Sequence, residues 1–197
     1  MGDPRDVRPD EVEILVAREL RKTGVALSKL WTTGRRPVPD GDDRAYVMEL
    51  EGVTASVDDA RAVLVEFRNH SSDVGTDAVL TLANRAAAGP PVDAPKRLQP
   101  VPDRAGQPIR SDARTPPPIR VMFATSAFDA ASVAEALTLG MRLLRVADGP
   151  AAFRRSQWAV GAQPPAWVPE YMAEAVDLGP TGDVRYHALM SSAKRPK

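Results

Sequence analysis

The stretch Ala62-Val63-Leu64-Val65-Glu66-Phe67-Arg68-Asn69-His70 constrains this chain more than any other. Apolar residues alternate along it, the period-two signature of a strand with one face packed inward. Successive side chains point to opposite sides, so Val63, Val65 and Phe67 share one face while Leu64, Glu66 and Arg68 share the other. A carboxylate and a guanidinium thus stand side by side on an apolar strand. Such a pair suits a functional site, and it equally suits a solvated ion pair or bonds to neighbouring strands.

The flanking sequence reads as alternating strands and helices. Asp10 and Glu13 have the spacing of a capping box ahead of Val12, Leu15, Val16 and Leu20, which predicts a helix over 10–22 stopped by Gly24. Ala26 to Thr32 is a strand candidate, and Gly34 to Asp43 is a loop rich in Pro, Gly and Asp. Ala45 to Glu51 alternates again, as the strand that precedes the central one. After the central strand Ser71 to Gly75 turns the chain, and Thr76 can cap a helix carrying Val79, Leu80, Leu82 and Ala83. Ile119 to Ala124 suits a buried strand. Asp129 or Ser132 can cap the next helix, which carries Val133, Ala136 and Leu137 and closes at Gly140; Met141 to Val146 is a last strand. Strand, helix and strand joined by short connections predict a crossover unit and a parallel pair.

Composition narrows the function classes. The formal net charge of zero excludes a globally basic nucleic-acid binder, although not a local basic patch. The chain has no Cys and only two His, His70 and His187, so disulfides, thiolate chemistry and a zinc site are excluded and any metal would be a hard, oxygen-bound one. The charged start and the absence of a long apolar run predict a cytoplasmic protein with no signal peptide and no membrane span.

Proline is 19 of 197 residues and is concentrated. Nine prolines fall between Pro90 and Pro118, among five basic and three acidic residues, so residues 89–118 read as an extended, solvated insertion. That segment could track a nucleic-acid backbone or dock a partner. It interrupts an α/β domain over 1–150, and residues 151–197 read as a C-terminal appendage. There Trp158, Trp167 and Tyr171, near Arg154 and Arg155, suit base stacking, a small core or a subunit contact.

Two stretches carry a family resemblance. The run from Val65 to Val79 (Val-Glu-Phe-Arg-Asn-His-Ser-Ser-Asp-Val-Gly-Thr-Asp-Ala-Val) resembles the strand-to-helix passage of the Mrr-type restriction endonucleases. Val121-Met122-Phe123-Ala124-Thr125-Ser126-Ala127-Phe128 is similar to that family's strand ending in Thr-Ser-Gly-Phe. The resemblance spans roughly 10–150 and implies the PD-(D/E)xK nuclease fold: a restriction-endonuclease-like central mixed β-sheet flanked by helices, with its catalytic edge at 45–51 and 61–69.

In that family an Asp at a strand entrance and a Glu-x-Lys on the next strand hold Mg²⁺ and the scissile phosphate. The resemblance therefore implies Asp43, or Asp42, and Glu66 as Mg²⁺ ligands, with Arg68 in the place of the lysine. Glu13 would be an accessory carboxylate, although it also suits the capping box. Thr125 and Ser126 would contact substrate phosphate, or simply turn the chain, and His70 is a candidate base. The departure at Arg68 matters because Arg cannot be deprotonated here and instead presents a planar fork that grips phosphate oxygens. The implied function is a Mg²⁺-dependent DNA phosphodiesterase or a degenerate relative. The alternative is a non-catalytic subunit of a larger defence assembly that binds nucleic acid, a partner protein or a second copy of itself.

Overall fold

A computed structural model describes residues 3–38, 44–56, 60–88, 116–156 and 163–190. A 3₁₀ turn, Pro4–Asp6, precedes helix α1 (Pro9–Lys22) and three strands, β1 (Leu27–Pro37), β2 (Tyr46–Thr54) and β3 (Ala62–Asn69). Helix α2 (Thr76–Asn84), strand β4 (Ile119–Ala124), helix α3 (Ala130–Thr138) and strand β5 (Arg142–Asp148) follow, then helix α4 (Gly149–Arg155) and strands β6 (Tyr171–Leu178) and β7 (Val184–Ala188). The result is an α/β protein with one mixed sheet of seven strands in sequence order. Strands β3, β4 and β5 are mutually parallel neighbours, and every other pair is antiparallel.

The alternation in β3 sets the two layers. Val63, Val65 and Phe67 pack with Val12, Leu15, Val16 and Leu20 of α1, whereas Leu64 packs with Val79 and Leu82 of α2 and Val133 and Ala136 of α3. Pairing of Phe67 with Met48 and Phe123 aligns an aromatic stack across β2, β3 and β4. Ring centroids stand 6.1 Å apart for Tyr46 and Phe67 and 6.3 Å for Phe67 and Phe123. Both crossovers place α2 and α3 on one face, so their N-termini lie at the carboxyl ends of β3 and β4. The segments entering those helices clasp each other: Val74 N donates to Ala127 O at 2.9 Å, and Asp129 N donates to Val74 O at 3.3 Å.

Local chemistry fixes the helix ends, in part differently from the expectation. Pro9 opens α1, and the Glu11 carboxylate accepts from Arg8 N at 3.1 Å, so the reciprocal acid is Glu11 and not Glu13. Gly24 follows the helix at φ 84°, a left-handed conformation that glycine adopts without a Cβ penalty. Asp129 caps α3 by accepting from Ser132 N at 2.6 Å. Gly75, not Thr76, is the N-cap of α2 and supplies no side-chain cap.

Two segments differ from the sequence reading. Strand β1 runs through Gly34 to Pro37, where a loop was expected; it is an edge strand, which tolerates Gly and Pro, and it bends at irregularities between Leu27 and Lys29 and between Thr32 and Gly34. The C-terminal segment is no appendage: after α4, strands β6 and β7 extend the sheet from β5, with Met172 and Ala173 buried. A buried acid, Glu19, ties this part to α1. Its carboxylate takes Lys22 at 2.8 Å and Arg18 at 2.7 Å, and it accepts from Ala173 N at 3.2 Å. Most of the Pro-rich insertion, Trp158 and residues 191–197 lie outside the described residues. Among the described residues no helix is long and apolar enough to cross a membrane.

Burial pushes the Tyr46 phenol well above its ordinary value of 10, and its hydroxyl donates to Val7 O at 2.7 Å. Burial also raises Tyr171, to about 12. A raised phenol keeps its proton in the native state where the unfolded chain releases it, so this stability is full below pH about 10 and is lost as pH rises further. Tyr46→Phe is expected to flatten the alkaline decline in the urea midpoint between neutral pH and pH about 10.5, leaving a residual slope from Tyr171. An unchanged slope in the variant contradicts the assignment.

Candidate functional site

The register of β2 against β3 places Glu49 directly opposite Glu66, on the face that carries α2. Glu66 is 1% exposed, so its carboxylate needs cationic partners to stay charged. Arg68, two residues on along the same face, supplies the closest, its Nη1 lying 2.6 Å from Glu66 Oε1. On β1, Arg36 reaches both acids, at 4.0 Å from Glu66 Oε2 and 3.9 Å from Glu49 Oε1. From beyond the end of α2, Arg85 comes to 3.9 Å of Glu49 Oε2 and donates to the backbone carbonyls of Leu50 at 2.8 Å and Val65 at 3.1 Å.

Three guanidinium groups therefore surround two carboxylates, and each of the four carboxylate oxygens faces one of them. Magnesium asks for near-octahedral oxygen ligands at about 2.1 Å. In the pair as it stands, Arg68 takes Glu66 Oε1 at 2.6 Å, whereas the other three carboxylate oxygens lie 3.9–4.0 Å from the nearest guanidinium, and Asp43, the other expected ligand, lies outside the described residues. Among the described residues no group of three or more His, Asp and Glu could hold a metal.

The other side of Arg68 is open. Its Nε donates to His70 Nε2 at 3.1 Å, and the side chain lines a cavity of about 400 Å³ with Gly75, Thr76, Asp77 and Ala78 of the first turn of α2. The amide groups of a first helical turn have no intrahelical acceptor, and here Gly75 adds no capping side chain. Helix dipole and guanidinium thus favour the same sign of ligand, an anion, opposed by Asp77 in the lining and by the Asp129 carboxylate beside Gly75.

The residues expected from sequence are only partly assembled. Glu66, Arg68 and His70 are together. Thr125 lies close by, donating from Oγ1 to Asn69 Oδ1 at 3.1 Å, and its amide donates to Arg68 O at 3.0 Å. Ser126 Oγ is buried without a hydrogen-bond partner among the described residues. Glu13 is elsewhere: on the α1 face its carboxylate accepts from Thr32 N at 3.1 Å and from Thr32 Oγ1 at 2.7 Å. Asp42 and Asp43 lie outside the described residues. Trp167 sets its ring edge-on against Phe153, with centroids 5.9 Å apart, and Arg155 is held by Glu174 at 2.8 Å, so both serve the packing around α4.

Glu49, Arg36 and Arg85 were not singled out by the sequence. Only the alternation of Ala45 to Glu51 hinted at Glu49, and the partner of Glu66 emerges from the register. Comparison with protein-family models, with curated proteins and with solved structures found no match.

Proposed function

We propose that this chain is a restriction-endonuclease-like domain that grips the phosphate backbone of nucleic acid at the carboxyl end of β3 without cleaving it. The observation that carries the reading is the arginine-closed carboxylate pair: all four oxygens of Glu49 and Glu66 face Arg36, Arg68 or Arg85. An arginine in the lysine's place can hold a phosphate oxygen bidentately but cannot give up a proton to activate water. The cavity between Arg68 and the uncapped start of α2 supports the binding half of the reading. The resemblance of Val65 to Val79 and of Val121 to Phe128 to Mrr-type endonucleases supports the choice of nucleic acid as ligand.

One observation favours a second reading, a Mg²⁺-dependent phosphodiesterase. Glu49 opposite Glu66 supplies two acids on adjacent strands, and a metal that displaced the arginines would find carboxylate oxygens there.

Binding is tested by fluorescence anisotropy of labelled duplex and single-stranded DNA at low and moderate salt. Wild type is expected to bind with an affinity that falls steeply with salt, by counterion release. The double variant Glu66→Gln/Arg68→Gln, which removes one charge of each sign and keeps polar partners, is expected to bind about tenfold more weakly, equivalent to about 1.4 kcal/mol. Absence of salt-dependent binding by wild type would leave a protein-binding subunit as the better reading.

A further inference from the structure

A second basic feature lies on the opposite side of the sheet end. The N-terminal segment, the end of β1 and the start of β2 enclose a cavity of about 470 Å³, within the range of small-ligand sites. Four arginines line it, Arg5, Arg8, Arg35 and Arg44, with apolar wall from Val7, Pro37 and Ala45. Three of them are oriented by acids: Asp3 holds Arg5 at 2.8 Å, Glu11 holds Arg8 at 3.0 Å and Asp6 holds Arg44 at 2.7 Å. Of those acids only Asp6 lines the cavity, so Asp3 and Glu11 hold their arginines from outside it. Arg35 is different. Among the described residues its guanidinium meets no carboxylate and stands 5.5 Å over the ring of Tyr46.

The scaffold beneath is buried and satisfied. Asn69, 1% exposed, donates from Nδ2 to the carbonyls of both Arg5 and Arg44 at 3.0 Å and accepts from Thr125 Oγ1. One buried amide thereby fixes two of the three backbone segments that present arginines to the cavity, and it does so from the residue next to Arg68. Preorganised forks lose little side-chain freedom on binding, which raises affinity.

We propose that this cavity is a phosphate-binding site, separate from the Glu49–Glu66 cluster and able to act whether or not that cluster binds DNA. The chemistry selects phosphate over a simple carboxylate. Three of the arginines already hold carboxylates, so a monoanionic acid competes with pairs the chain makes for itself. A phosphate carries up to two charges and three acceptor oxygens and can bridge several forks at once. The phosphate could belong to a nucleic-acid backbone or to a free nucleotide, and the apolar wall can receive the nucleoside in the second case.

The test is isothermal calorimetry on the full chain with three probes: inorganic phosphate, a 5′-mononucleotide and a 5′-phosphorylated oligonucleotide. Wild type, Arg35→Gln, Arg8→Gln and Glu66→Gln/Arg68→Gln are compared. Binding of at least one probe is expected, weakened at least fivefold in Arg35→Gln and in Arg8→Gln. Arg35→Gln placed on the Glu66→Gln/Arg68→Gln background should show the same loss of at least fivefold, which separates this site from the one proposed above. Preference for the oligonucleotide assigns the phosphate to a backbone, and preference for the mononucleotide assigns it to a free ligand. The proposal is overturned if no probe binds wild type, or if Arg35→Gln and Arg8→Gln, shown folded by circular dichroism, bind every probe as wild type does.

Discussion

Phe67→Ala is expected to lower the unfolding free energy by about 3–5 kcal/mol, the largest effect of any single truncation in the sheet. Phe67 is fully buried in the middle of β3 and its ring stands between those of Tyr46 and Phe123. Truncation removes the transfer free energy of the ring and leaves a cavity whose walls are strands on both sides, which collapse poorly. Phe67→Leu, which refills most of the volume, is expected to cost roughly half as much. Chemical denaturation at fixed pH measures both. A loss below about 1 kcal/mol for the alanine variant would mean that the stack is not the centre of the core.

Arg68→Ala is expected to cost about 3 kcal/mol, near the lower end of the range for breaking a buried ion pair. Glu66, 1% exposed, would lose its 2.6 Å partner and keep only Arg36, at 4.0 Å. Most of that cost is the desolvated carboxylate left behind, not the intrinsic worth of the pair. Glu66→Gln added to Arg68→Ala should therefore recover a large part of the lost stability. The double-mutant cycle decides the matter: a coupling energy of about 1–3 kcal/mol is expected, and additivity within about 0.5 kcal/mol would show that the two side chains do not depend on each other.

Periodicity made much of this fold legible. Alternation in Ala45–Glu51 and in the central strand, helical spacing in Val12–Leu20 and Val133–Leu137, and the strand, helix, strand order each appear in the structure as β2, β3, α1, α3 and the parallel pair β4 and β5. What was lost was lost for physical reasons. In β6 the acid Glu174 occupies a buried position, 1% exposed, because Arg145 and Arg155 reach it at 2.5 and 2.8 Å from β5 and α4. Such compensation across elements disguises a core strand as a polar one. In β1 the glycine and proline that signal a loop are tolerated because, among the described residues, one side of the strand pairs with no other strand.

The site was legible only within one strand. Glu66 and Arg68 share a face by the two-residue period, which any strand imposes. Their three partners come from other elements. Glu49 is opposite Glu66 only by virtue of the register, Arg36 belongs to the segment read as loop, and Arg85 turns back from beyond α2 to the carbonyls of the β2 and β3 ladder. Nothing local to those residues distinguishes them from solvated surface charges.

Under the proposed function, the arginine-closed carboxylate pair leaves a nuclease-like frame that binds nucleic acid and does not cut it. A plasmid-nicking assay in Mg²⁺ and again in Mn²⁺, on wild type and Glu66→Gln at protein concentrations that saturate DNA binding, tests it most directly. Intact supercoiled plasmid is expected with both proteins. Metal-dependent nicking by wild type that disappears in Glu66→Gln would contradict it, and would mean that the ion displaces Arg68 to reach Glu66.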